Sequence, residues 1–257
     1  MGEYFDPAYS LETGLFDSRI IIALAAVALG GFLRGFTGFG GALVIVPVLS
    51  ILFTPREAVA MHVVMEIPGV LQLMPTAVRH AERKIVLPML AALLVTTPIG
   101  VLLLVLINQD TMRIVISVAV LLMVGLLAGN WRYAGSPRPG VTVATGIVSG
   151  LAQGATGIGG PPIVVMLLSH DVVADSVRAN VIAMMGSLTL VALPVLWAYG
   201  LLTPPVLLVG AISAFVYFGT IYLGTRFYAG RGKELYRRVS LAVLAAIALT
   251  TLLAALT

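Results

Sequence analysis

The sequence predicts an all-α polytopic membrane protein made of two inverted repeats, each a re-entrant or broken helical hairpin followed by three transmembrane helices. Three observations carry this. Of the 257 residues, 60% are hydrophobic and 10% charged, whereas a soluble domain carries about a quarter charged residues. Apolar runs near the roughly twenty residues that span a bilayer recur along the whole chain. One glycine-rich interruption also appears twice, as R-G-F-T-G-F-G-G at 34–41 and Q-G-A-T-G-I-G-G at 153–160.

The elements follow in order. Residues 1–17 hold Glu3, Asp6, Glu12 and Asp17 but no Lys or Arg. They lack the positive n-region of a cleavable signal peptide and read as an extracytoplasmic N-terminal segment. The first apolar block, 18–53, is too long for one span and is broken near its middle. Its arms, Ser18–Leu33 and Ala42–Phe53, reach roughly 24 and 18 Å at about 1.5 Å per residue, short of a ~30 Å hydrocarbon core. Spans at about 58–77, 86–107 and 111–129 complete repeat 1, residues 18–129. A cytoplasmic linker at 130–140 leads to repeat 2, residues 141–257. That repeat has a hairpin at 141–169 and spans at about 177–199, 204–227 and 235–256.

Charge supports the hairpins. If every block crossed once, the basic loops after the second and seventh blocks would face opposite sides. With two hairpins that enter and leave on one side, Arg79, Arg83, Lys84, Arg132, Arg138, Arg178, Arg226, Arg231, Lys233, Arg237 and Arg238 all share a side. They are 11 of the 15 Lys and Arg, as the positive-inside rule requires. Arg19, Arg56 and Arg113 lie opposite. The expected location is the cytoplasmic (inner) membrane, with both termini extracytoplasmic. The net charge of +4 is then a topological signal, and no nucleic-acid partner is expected.

The two breaks belong to a longer internal match. Gly31–Ser50 aligns with Gly150–Ser169, with 9 of 20 positions identical, including Gly35/Gly154 and the T-G-x-G-G core. Weaker matches pair Ala58–Val63 with Ser176–Val181, and Gly100 and Asp110–Arg113 with Gly224 and Glu234–Arg237. An odd number of spans per repeat turns the second copy over. Inverted repeats with broken helices at matching positions are the architecture of many secondary transporters. A plainer use of the glycines is close helix packing through small-xxx-small contacts.

The duplicated G-x-T-G-x-G-G segments, the R-H-A-E-R-K-I-V-L-P stretch at Arg79–Pro88 and the 4+4 layout resemble the TauE/SafE family of membrane permeases over essentially the whole chain. The resemblance implies transport, often export, of sulfite or small organosulfonates. Periodicity itself shows no substrate.

The residues of the breaks suggest anion chemistry. Unwound backbone inside a membrane is tolerable only where protein or a wet cavity satisfies it. Helices beginning after Gly41 and Gly160 would point free N–H groups and positive dipole ends into that cavity, and facing helix starts suit an anion. Pro161 and Pro162 fit a first turn. The candidate substrate-binding residues are Arg34, Thr37, Gly38, Gly40 and Gly41 in one copy, and Gln153, Thr156, Gly157, Gly159 and Gly160 in the other. An unpaired Arg34 in hydrocarbon costs at least about 2.5–3.5 kcal/mol, so it must be paired or hydrated. A guanidinium forks onto two oxygens of an oxyanion; alternatively, Arg34 forms a salt bridge with Glu66 or snorkels. Because Gln153 stands where the other copy has Arg34, one arm is charged and one neutral, which suits a monoanion.

His62 and Glu66, four residues apart on one helical face, are proton-coupling candidates; a structural pair with Arg34 is the alternative. Their repeat mates are Asn180 and Met184. Asn180 and Gln72 are secondary candidates, Gln72 being expected to satisfy a neighbouring helix. Trp131, Tyr133, Trp197 and Tyr199 read as interface anchors. With no cysteine, no zincin motif and no nucleophile–base pair, neither a metal, a cofactor nor an enzymatic activity is expected. The expected function is a secondary transporter, in the exporting direction, of small sulfur-containing anions such as sulfite or C2 sulfonates, with proton coupling left open. A passive anion channel, or a permease for a small carboxylate, is the alternative. The expected partners are the small anion and the lipid bilayer, with a homodimer left open.

Overall fold

Helices account for nearly all of the described residues, 18–37, 40–128, 138–168 and 174–228 of a computed structural model. Among them the order is α1 Ser18–Thr37, α2 Gly41–Leu52, α3 Pro55–His80, α4 Arg83–Leu106, α5 Gln109–Ala128, α6 Pro139–Thr156, α7 Gly160–Leu168, α8 Ala174–Ala198 and α9 Pro204–Tyr228. No strand occurs among the described residues. Five of these helices are long and apolar enough to cross a membrane, within α3, α4, α5, α8 and α9. The acidic segment 1–17, most of the linker, Gly38, the Thr37 side chain, Trp131, Tyr133, Ser169 and the span expected at 235–256 lie outside the described residues.

Local chemistry sets several boundaries. α3 starts at Pro55, ahead of the expected Ala58, because Thr54 and Glu57 form a capping box: the Thr54 hydroxyl accepts from Glu57 N at 3.3 Å and Glu57 Oε2 accepts from Thr54 N at 2.9 Å. That box satisfies two otherwise orphaned donors, and Pro55 in the first turn forfeits no helical bond. α1 runs four residues beyond the expected Leu33, so Arg34 and Gly35 are helical. At 20 residues α1 is about 30 Å long, enough to cross a hydrocarbon core, while the 12 residues of α2 reach only about 18 Å.

Arginines close the C-terminal ends of two helices. Arg113 donates from Nε to Ser50 O at 2.8 Å and from Nη2 to Phe53 O at 3.4 Å. Arg56 donates to the carbonyls of Leu104 and Val105 at the end of α4. Each puts positive charge on carbonyls the helix cannot satisfy itself.

Packing follows the repeat. α1 lies along α9 and α6 along α4, while α3 packs against α8. Each broken hairpin is thus clasped by the second full span of the other repeat, and the equivalent helices α3 and α8 meet each other. The glycines show this residue by residue. A Cβ at Gly31 would strike Tyr217 O and Thr220 Oγ1, and one at Gly150 would strike Leu93 O and Thr96 Oγ1. A Cβ at Gly35 would strike Ile221 O, and one at Gly154 would strike Thr97 O. The same offset relates every pair, so Gly31, Gly35, Gly150 and Gly154, which lie outside the T-G-x-G-G core, serve close packing. α2 is internal: 8 of its 12 residues are buried, and Leu43, Val44, Ile45 and Val46 join Ala58, Val59 and Met65 of α3 in the larger apolar core.

Candidate functional site

The second use of glycine appears at the breaks. Gly40, at φ 93°, precedes α2, and Gly157, at φ 68°, closes α6. Both angles are in the left-handed region that a Cβ disfavours. Gly157 N donates to Gln153 O at 2.9 Å, ending α6 in one turn. α2 then begins at Gly41, and α7 begins at Gly160 with Pro161 and Pro162 in its first turn. Both starts line one cavity, into which Arg34, His62, Glu66 and Gln153 also open.

Arg34, near the end of α1, meets two side chains from distant parts of the chain. It pairs with Glu66 of α3, and its Nη1 donates to the Tyr217 hydroxyl of α9 at 3.0 Å. That hydroxyl in turn donates to Glu66 Oε1 at 2.8 Å. The three groups form a closed triangle, with the guanidinium also 5.7 Å from the Tyr217 ring centroid. Both Arg34 contacts use Nη1, so neither uses Nε or Nη2. Arg34 keeps 26% of its side chain exposed against 8% for Glu66, and both line the cavity. Gly41 makes room for the triangle, since a Cβ there would lie 2.7 Å from Tyr217 Oη.

His62 lies one turn before Glu66, its Nε2 3.8 Å from Glu66 Oε1. The ring is buried, and Nδ1 has no hydrogen-bond partner among the described residues. A buried polar nitrogen without a partner is costly, and this one belongs to a residue that lines the cavity.

Among the described residues, the second repeat builds nothing comparable. Gln153 replaces Arg34, and its Oε1 accepts from Gly159 N at 3.1 Å, bracing the turn before α7. Because that oxygen is committed to a backbone donor, the amide nitrogen is the end of Gln153 able to donate to a ligand. Glu66 corresponds to Met184, and the packing of the glycines makes Leu93 the counterpart of Tyr217. Met184 and Leu93 are both fully buried in the smaller apolar cluster. Positions that form a charged triangle in the first repeat are therefore held in the second by a carboxamide and two apolar side chains.

The remaining candidates are placed as follows. Gly38 and the Thr37 side chain lie outside the described residues. The Thr156 hydroxyl donates to Ala152 O at 2.7 Å and is buried, so its single proton is used within α6. Gly159 gives its N–H to Gln153, and a Cβ there would sit 2.5 Å from Ser149 O. Asn180 accepts from Glu82 N at 2.7 Å through Oδ1, holding the turn before α4 rather than lining the cavity. Gln72 was expected to satisfy a neighbouring helix, yet it is on the exposed face of α3 among the described residues. Trp197 and Tyr199 are exposed at the end of α8.

Sequence reasoning missed Tyr217. The available signal was its position: it lies mid-way along α9, away from the helix ends where membrane tyrosines concentrate.

No curated protein and no solved structure matches the chain. The family model described as Sulfite exporter TauE/SafE matches residues 22–251, a stretch that takes in both breaks, the charged triangle and the glycine-packed helix pairs. On that match the chain is a multi-pass membrane protein belonging to the sulfite exporter TauE/SafE family.

Proposed function

We propose that the protein is a secondary transporter that exports a small sulfur-containing anion, sulfite or a C2 sulfonate, across the cytoplasmic membrane. The observation that carries this reading is that the starts of α2 and α7, Arg34 and Gln153 all line one cavity. An anion there would meet two helix N-termini, the guanidinium of one repeat and the carboxamide of the other. One full positive charge and a neutral donor suit a singly charged oxyanion. Arg34, Gly40, Gly41, Gln153, Gly157 and Gly160 would hold the substrate, and His62 and Glu66 would carry the proton side of the cycle. Both termini would lie outside the cytoplasm.

The test is flux from proteoliposomes loaded with sulfite or ethanesulfonate, with and without an imposed pH gradient. Anion efflux that the gradient accelerates is the expected result. Flux that runs at the same rate at every gradient would favour a passive channel. No flux of either anion would remove the sulfur-anion reading altogether.

A further inference from the structure

The charged triangle raises a problem that transport has to solve. Arg34 must act on a substrate anion, yet its cation is already neutralised by Glu66, and the bond to Tyr217 fixes the pair in place. A second negative charge on the same guanidinium would repel the first.

We propose that Glu66 is the resident anion of the substrate site: its carboxylate holds the place on Arg34 that the substrate takes, and each substrate bound displaces it with uptake of one proton. This rests on the reading of the cavity as an anion site.

Three features support the exchange. First, the geometry is that of a bound anion, one carboxylate oxygen receiving both a guanidinium N–H and a phenolic O–H. A sulfonate or bisulfite oxygen could accept the same two donors, so Tyr217 would turn its O–H from Glu66 to the substrate without losing its bond to Arg34. Second, Arg34 and Glu66 both line the cavity, and Arg34 keeps 26% of its side chain exposed, so the pair is already at the surface of the site where the exchange would occur. Third, the second repeat has Gln153, Met184 and Leu93 at the three positions, leaving no cation there to neutralise and no carboxylate to displace. The charged residues thus act as a set, present together in one copy and absent together from the other.

The proton follows from charge balance. Before binding, Arg34 and Glu66 sum to zero; after a monoanion takes Arg34, a bare Glu66 would be a buried charge without a partner, which is strongly unfavourable. A proton from the aqueous side of the cavity converts the displaced carboxylate to a neutral acid and restores the balance. The titratable or charged groups facing Glu66 are Arg34 from α1, Tyr217 from α9 and His62 from α3. From α2, α6 and α8 the cavity receives Gly41, Gln153 and Met185, none of which titrates. His62, 3.8 Å from the carboxylate, is the nearest base through which the proton could pass. The exchange admits one negative charge for one, so it selects monoanions over dianions.

The experiment measures ethanesulfonate binding to the purified full-length protein across neutral pH. Ethanesulfonate is the anion of a strong acid and takes up no proton itself. For the wild type, affinity should fall about tenfold per pH unit as pH rises, the slope for one linked proton. Glu66→Gln removes the competing carboxylate, so its affinity should rise by roughly tenfold or more, as for any site freed of a self-occupied state, and should no longer depend on pH. Tyr217→Phe keeps the ion pair but removes the bridging hydroxyl, and should shift affinity while retaining the one-proton slope; it serves if Glu66→Gln does not fold. Equal affinity and equal pH dependence in wild type and Glu66→Gln would overturn the exchange while leaving the anion site standing. So would a pH-independent wild type or, where only Tyr217→Phe folds, a Tyr217→Phe affinity identical to wild type. Failure of the wild type to bind ethanesulfonate, sulfite or any small oxyanion would overturn the anion site and the exchange together.

Discussion

Arg34 and Glu66 cannot be understood one at a time, because each is the other's reason for being tolerable in an apolar bundle. Removing one member of a buried ion pair leaves an uncompensated charge, whereas replacing both by apolar groups of similar size is often close to neutral. Arg34→Met and Glu66→Leu should each lower stability in detergent by about 3 kcal/mol, the lower end of the usual range because Arg34 is partly exposed. The double variant should recover most of that loss, and unfolding curves of all four proteins would measure the coupling. Additive losses would show that the pair contributes nothing as a pair. Function should diverge from stability here. Arg34→Ala is expected to abolish anion binding even where the protein remains folded, and wild-type affinity in that variant would take Arg34 out of the site. The salt bridge to Glu66 was legible in the sequence as one of two alternatives, since a membrane arginine requires a counter-charge. The third member, Tyr217, was not, because α1, α3 and α9 converge only in the folded bundle and a lone mid-helix tyrosine does not announce its partners.

Among the elements, the glycines divide into two populations, a division that the sequence motif alone blurs. Gly31, Gly35, Gly150 and Gly154 lie within helices and give their missing side chains to a neighbouring backbone, while Gly40 and Gly157 bend the chain at positive φ. The sequence had offered both uses as rivals, and the fold adopts each at different positions. The two populations should respond differently to substitution. At Gly154 a valine would run into Thr97 O and at Gly35 into Ile221 O, so each should cost at least the 1–3 kcal/mol typical of overpacking. Similar losses at both sites are expected because they are repeat equivalents. Gly125→Ala, where nothing lies within 4 Å of the added carbon among the described residues, is the control and should leave thermal stability almost unchanged. Gly157→Ala is the opposite case: the nearest atom would be Val46 Cγ2 at an ordinary 3.4 Å, so the penalty should come from the backbone and amount to about 1–2 kcal/mol. A loss at Gly125 as large as that at Gly154 would break the packing argument. Element boundaries were less legible than the elements themselves. The Thr54–Glu57 box and the run of α1 to Thr37 depend on local hydrogen bonds and on the pairing of Arg34, neither of which a hydropathy profile contains.

For the molecule as a whole, the repeat is what ties sequence to architecture. A single offset between Gly31–Ser50 and Gly150–Ser169, read from identities alone, carries over into which carbonyl each glycine meets on α4 or α9. That correspondence makes the orientation of the halves a physical question with few answers. If α3, α4 and α5 each cross the membrane, the chain changes sides three times between the end of the first hairpin and the start of the second. The second repeat then enters from the opposite face. α5, at 20 residues, is about as long as the hydrocarbon core is thick, so its two ends should lie on different sides. Gln109 at its start and Arg138, which precedes α6, are both exposed, and the chain has no cysteine of its own, so a thiol introduced at either position reports alone. A membrane-impermeant maleimide added to intact cells should label Gln109→Cys, while Arg138→Cys and Arg83→Cys should react only after permeabilisation. The charge pattern demands the same outcome independently: Arg83, Lys84 and Arg138 belong to the basic side, whereas Arg113 sits one turn from Gln109 and is held by Ser50 O and Asp110. Labelling of Gln109→Cys and Arg138→Cys from one face would mean that α5 does not cross, leaving an even number of spans between the hairpins. The two glycine breaks would then enter the membrane from the same side, and the facing helix starts on which the anion site depends would lose their geometric basis.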